Sequence, residues 1–229
     1  MDIVDGAGRR ASGEVVDGGG DALPVKILAV TDEPASSPSL VLVQALAKGG
    51  RDELAVEAAT ELGVDAVVPW QAERSIVRWK DAKAVKGRNK WLATVQAAAK
   101  QARRARVPEV EPLVTGTGLA DIVAGAALAL VLHEEAHTTM ASLWADSATA
   151  RILHSANSRA GATQGGAGSE DAPKILLIVG PEGGISHQEI GILSAAGAVP
   201  VRLGIHVLRS STAGPAAISV LSHLLGRWD

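Results

Sequence analysis

The sequence predicts an α/β protein built on a mostly parallel sheet, with a small β-rich segment in front of it. Three observations carry this prediction. From Leu40 onward, short apolar runs alternate with stretches of helical length. Near the C-terminus, Ile175-Leu-Leu-Ile-Val-Gly-Pro-Glu-Gly-Gly184 followed by Ile185-Ser-His-Gln-Glu-Ile190 reads as strand, tight turn and helix in succession. Before Leu40 the pattern differs, with short strands divided by glycine-rich turns.

Taken in order, residues 2–6, 11–16 and 25–30 are the short strands. Three such strands cannot bury a core alone. Residues 31–39, with Pro34 and Pro38 among serines, form a linker. A strand at 40–46 is followed by a helix at 51–62 closed by Gly63, a strand at 66–69 and a long helix at 86–104 that stops before Pro108. Further strands fall at 128–132, 175–179 and 199–203. Ser186 and Glu189 have the S-x-x-E spacing of a capping box, which starts a helix at Ser186, and the glycines before it expose backbone N–H groups beside the positive helix end, where a small polar ligand could rest. The last helix begins at Pro215, a favoured first-turn residue, and runs to Leu225. Residues 155–173 are rich in Gly, Ala and Ser without periodicity and read as a surface insertion.

The chain has 229 residues, enough for one large domain with a small appendage. Phe and Tyr are absent, so the core must come from Leu, Val, Ile and Ala, and aromatic base-stacking is limited to five tryptophans. The lack of cysteine excludes disulfides and thiolate metal sites. No signal-peptide layout opens the sequence, and the longest apolar run, near 122–132, is too short to span a bilayer, so a cytoplasmic protein without a membrane partner is expected. Net charge is only -3, yet residues 71–106 hold 11 basic and 2 acidic side chains. Such a patch in an otherwise acidic protein suits a phosphate backbone, because counterion release depends on local charge density. Arg74, Arg78, Lys100, Arg103, Arg104 and Arg106 are the candidate RNA contacts.

Two glycine-bearing loops carry the functional signal: Gly180-Pro-Glu-Gly-Gly184, and Leu203-Gly204 continuing through Val207-Leu-Arg209 to Thr212-Ala213. Their wording and spacing resemble the C-terminal signature of the SPOUT methyltransferases, in particular the RsmE-type enzymes that methylate uridine at N3 in the decoding region of 16S rRNA. Upstream, Gln44-Ala-Leu-Ala-Lys-Gly49, Ala59-Thr-Glu-Leu-Gly-Val64, Glu73-Arg-Ser75 and Leu132-His-Glu-Glu-Ala136 look like blocks of the same family in the family's order. The resemblance implies an α/β trefoil-knot domain over 37–229. Residues 1–36 look like the last part of a PUA-like barrel with its linker, whose opening segment is expected before Met1. It also implies S-adenosylmethionine as cofactor, a homodimer, and 16S rRNA or the assembled small subunit, and not DNA, as partner. Leu132, Val179, Gly180, Pro181, Gly183, Gly184, Leu203, Gly204, Val207 and Leu208 would hold the cofactor.

For chemistry, Arg209 is the first candidate and Glu182 the second. Uridine N3 is a weak acid, so methyl transfer requires loss of its proton and stabilisation of a uracil anion, for which a fixed guanidinium is suited. The alternative for Arg209 is a surface or dimer salt bridge, and for Glu182 a loop carboxylate near a helix N-terminus. The chain departs from the family at Ser211, where an acidic residue is usual, which leaves the proton acceptor unassigned. Two other readings stand beside this one. The first is an RNA-binding relative without activity. The second is a zinc hydrolase using His133-Glu-Glu-Ala-His137, a match to H-E-x-x-H, with His154 or Glu170 as third ligand. That motif directly follows a strand, where residues four apart lie more than about 10 Å distant at a rise near 3.3 Å.

Overall fold

The computed structural model describes residues 1–17, 23–145 and 172–228. The insertion expected at 155–173 therefore lies almost wholly outside the described residues. The chain opens with an antiparallel sheet of β1 (Asp2–Val4), β2 (Arg9–Val15) and β3 (Val25–Asp32). Ile27, Leu28 and Val30 are exposed on it, as expected of three strands without a core. Polar bonds tie this sheet down. Arg106 Nε donates to the Glu33 carbonyl at 3.0 Å, the Val107 amide donates to the Gly6 carbonyl at 2.9 Å, and Arg10 donates to Glu33, Asp2 and the Arg103 carbonyl.

The larger sheet is parallel throughout. Its elements are β4 (Ser39–Ala45), α1 (Arg51–Glu61), β5 (Ala66–Gln71), α2 (Ala82–Gln101), β6 (Glu109–Val110), β7 (Val114–Thr115), α3 (Gly118–Ala124), β8 (Leu128–Leu132), α4 (Met140–Ala145), β9 (Lys174–Val179), α5 (His187–Ala195), β10 (Val199–Val201) and α6 (Ser210–Leu224). The strand order is β10-β8-β9-β4-β5-β6, with β7 also pairing with β5. Side chains alternate between two cores. Leu40, Leu42, Leu128, Leu130, Ile175 and Leu177 pack with α1, α2 and α6, whereas Val41, Val43, Ala129, Val131, Leu176 and Ile178 pack with α3 and α5.

Helix boundaries follow from capping. Three helices end on a glycine with positive φ, Gly63, Gly197 and Gly226, and the amide two residues past the cap bonds back to the carbonyl three before it. Arg103 does the same job after α2 with φ 55°, and the Arg104 amide reaches the Ala99 carbonyl at 2.9 Å. The helix expected at 86–104 thus ends at Gln101 and starts earlier, at Ala82. The last helix begins at Ser210, so Pro215 is an interior residue and not a first-turn one. A proline there forfeits the bond to the Ser211 carbonyl. Close packing offsets the loss: Ala217 and Ile218 are fully buried, and a Cβ on Gly214 would lie 2.7 Å from Leu42 Cδ1. The short elements β6, β7, α3 and α4 carry too few residues to show periodicity.

Candidate active site

β8 and β9 lie side by side and end together, with Leu132 paired to Val179. Each strand then breaks into a turn, and the segment returning from β10 to α6 comes back across both. These loops enclose a cleft of about 350 Å³ at the carboxyl ends of the strands, where open α/β sheets bind ligands, and its size suits a small molecule. A larger cleft of about 510 Å³ lies at the opposite ends of β4, β5 and β9, between Ser39, Ala66 and Lys174, lined also by the Gly6-Ala7 turn and away from the loops at 180–184 and 203–209.

Most of the expected cofactor residues meet in the first cleft. Leu132, Val179, Gly180, Pro181, Gly184, Val207 and Leu208 line it, as do Glu182 and Arg209. Leu203 lines an adjoining hollow of about 60 Å³ shared with Leu132 and Val207. Gly183 and Gly204 line neither, contrary to expectation. At Gly183 the cause is visible: a Cβ would sit 3.3 Å from Arg74 Cβ and 3.4 Å from the Arg74 carbonyl oxygen, so its small size admits a neighbouring backbone rather than a ligand.

The helix after the Pro-Glu-Gly-Gly turn has the expected box. Ser186 Oγ accepts the Glu189 amide at 3.2 Å, and Glu189 Oε2 accepts the Ser186 amide at 3.1 Å. Arg209 is the N-cap of α6, exposed in the cleft wall. Its guanidinium pairs with no carboxylate among the described residues of this chain, so a surface salt bridge within them is absent, while one to a second copy stays open. Ser210 also lines the cleft, and its buried Oγ has no partner among the described residues, so a polar ligand group could satisfy it. Ser211 occupies the second position of α6.

Sequence reasoning missed Arg51, whose Nη1 donates to Glu182 Oε1 at 2.9 Å across the cleft. A signal existed. Arg51 is the first residue of α1, where the positive helix end disfavours a cation and where Asp52 and Glu53 follow in the usual acidic pattern. Asp52 itself is only 4% exposed. Its carboxyl is pushed up to about 6 by burial first and by Glu53 second, while the Ala47 and Glu53 amides pull the other way.

The H-E-x-x-H match lies in the turn after β8, not on a helix, so His133 and His137 do not share a helix face. His133 Nδ1 accepts the Glu135 amide at 3.2 Å, which occupies one of its two nitrogens. No cluster of metal-ligating side chains occurs among the described residues, and His154 and Glu170 lie outside them.

The six candidate RNA contacts separate into two groups. Arg74 and Arg78 sit between β5 and α2, beside the cleft, whereas Lys100, Arg103, Arg104 and Arg106 lie at or past the far end of α2, a helix of 20 residues and so about 30 Å long. Four of the six are tied into the fold. Arg104 donates to the Thr60 carbonyl at 2.6 Å, and burial pulls its pKa below the ordinary arginine value, opposed by Asp65. Arg106 anchors β3 through Glu33, and Arg78 donates to the Ala72 and Glu73 carbonyls. Arg74 is exposed but donates to the Gly183 carbonyl at 3.2 Å, and Lys100 and Arg103 are exposed.

A family model for the RNA methyltransferase domain matches residues 34–222, which takes in both glycine loops and the cleft. The chain belongs to this RNA methyltransferase family. Among similar proteins, ribosomal RNA small subunit methyltransferase E of Mycobacterium bovis is 41% identical over 232 residues, covering 99% of this chain and 79% of that protein. A Legionella pneumophila protein solved in complex with the bound cofactor SAM superposes with a TM-score of 0.74 at 28% identity, covering 97% of this chain and 82% of that one. Ribosomal RNA small subunit methyltransferase E of Neisseria gonorrhoeae, solved bound to S-adenosyl methionine, gives 0.71 at 24% identity over 98% and 82%, a likeness of fold. The fold is the SPOUT-type α/β class that the two loops implied, preceded by an antiparallel sheet suited to part of a small barrel.

Proposed function

We propose that this member of the family transfers a methyl group from S-adenosylmethionine to N3 of a uridine in the decoding region of 16S rRNA, in the cytoplasm. The observation that carries the reading is the cleft where the two glycine loops meet, with Arg209, whose guanidinium has no carboxylate partner among the described residues, in its wall. When bound, the cofactor supplies an electrophilic methyl on a sulfonium centre. The turn at 180–185 and the segment 207–210 would hold it, with Ser210 Oγ as one polar contact. Arg209 would stabilise the negative charge that spreads over the uracil oxygens once N3 has lost its proton. Glu182, kept in place by Arg51, would act as an oriented acceptor for donor groups of the ligands.

The protein acts as a homodimer in this reading. Ile205 and Val207 are 87% and 76% exposed next to the cleft, an apolar surface suited to a second copy. The deciding experiment supplies labelled S-adenosylmethionine and small-subunit particles from a strain lacking the enzyme, then maps the modified nucleotide by mass. Label at N3 of one decoding-region uridine is expected. Binding of cofactor and RNA without transfer would leave the inactive RNA-binding relative, and label on another base would refute the N3 assignment.

A further inference from the structure

The Glu73-Arg-Ser75 block has no role in the cleft, since none of its residues lines it. It is nevertheless bonded to the turn that does. The Glu73 amide donates to Glu189 Oε1 at 2.7 Å, while the other oxygen of the same carboxylate accepts the Ser186 amide at 3.1 Å. Arg74 Nη1 donates to the Gly183 carbonyl at 3.2 Å, and the Arg74 backbone packs against the bare Cα of Gly183. Arg78 closes the block on itself through the Ala72 and Glu73 carbonyls. One carboxylate therefore serves two loops, and a shift of the loop that bounds the cleft either moves the exposed basic turn or breaks these bonds.

We propose that Glu189 is a positioning residue that couples the two ligands, so that filling the cleft strengthens RNA binding at the turn carrying Arg74, and RNA strengthens cofactor binding to the same degree. This rests on the reading above, in which the cleft takes S-adenosylmethionine and the basic turn meets RNA. The physical basis is shared geometry. A ligand that fixes the 180–186 turn also fixes the amide of Glu73 and the guanidinium of Arg74, and linkage requires the effect to be reciprocal. A carboxylate is suited to the bridge because both of its oxygens accept. An amide in its place offers one acceptor and turns a donor toward the second N–H.

The test measures the affinity of the full chain for a decoding-region RNA fragment with and without saturating sinefungin, a cofactor analogue with no methyl to transfer, and the converse titration. The wild type should show a factor of about five or more in both directions. Glu189→Gln should bring it to about one while each ligand alone still binds. Ser186→Ala removes the hydroxyl cap of α5 but keeps the carboxylate, and should retain the factor, which separates coupling from helix stability. Gly183→Ala leaves Glu189 intact but presses a methyl on Arg74, and should reduce the factor, so the idea remains testable if Glu189→Gln unfolds. Independent binding of the two ligands by the wild type, or an undiminished factor in folded Glu189→Gln or, where that variant unfolds, in Gly183→Ala, would overturn the coupling. A wild type that binds neither ligand would instead overturn the proposed function and the coupling with it.

Discussion

At Arg209 the important property is a planar cation with no carboxylate partner among the described residues, at the mouth of a helix. Lysine keeps the charge and loses the multi-donor plane. Arg209→Lys should accordingly leave cofactor affinity within about twofold and lower the methyl-transfer rate by about tenfold or more, a loss of about 1.4 kcal/mol in transition-state stabilisation, read by single-turnover kinetics. Asp52 yields a prediction about pH. Its folded-state value of about 6 lies above the reference 3.8, so the native state holds a proton that the unfolded chain has released between those two values. Stability therefore falls as pH rises from about 4 to about 6, and ionised Asp52 remains a burden of about 3 kcal/mol above that window. Asp52→Asn should raise the melting temperature at pH 7, and the advantage should vanish below pH 4. Equal gains at pH 7 and pH 3.5 would mean that ionisation is not the cause.

Among the elements, α2 is where the sequence and the backbone conflict. Its C-terminal turn needs a left-handed residue, and Arg103 stands where α1, α5 and α6 use glycine. Such a residue costs about 1–2 kcal/mol, and conformational strain of this kind collects at functional positions. Arg103→Gly should raise unfolding stability by about 1 kcal/mol in urea titrations. If Arg103 contacts RNA phosphates, the same variant should also lower the slope of log affinity against log salt by about 1. A stabilised variant with an unchanged slope would assign the patch at this end of α2 to the fold alone. Arg104 and Arg106 make poor probes by comparison, because removing either also breaks a contact to Thr60 or Glu33.

For the molecule as a whole, the exposed loop that carries Ile205 and Val207 next to the cleft decides whether one copy is complete. Sedimentation should find a dimer, and Ile205→Asp should shift it to monomer, because an ionised carboxylate resists burial in an apolar interface. A monomeric wild type would remove the dimer from the reading. The sequence determined the parallel sheet, the start of α5 and the two loops, since each depends on local chemistry: apolar runs, a capping box at Ser186 and Glu189, and glycines beside a strand end. The early start of α6 was not legible, because contacts of Gly214 and Ile218 with the sheet outweigh the preference of Pro215 for a first turn. Nor was the separation of the basic residues, which are close in sequence but divided by the length of a helix. Arg51 meets Glu182 although 131 positions separate them, and Gly183 faces Arg74 across 109. Contacts at such separations arise only when the order of strands brings β4, β5, β8 and β9 together, so only the tertiary structure could decide which residues enter the cleft and which merely support it.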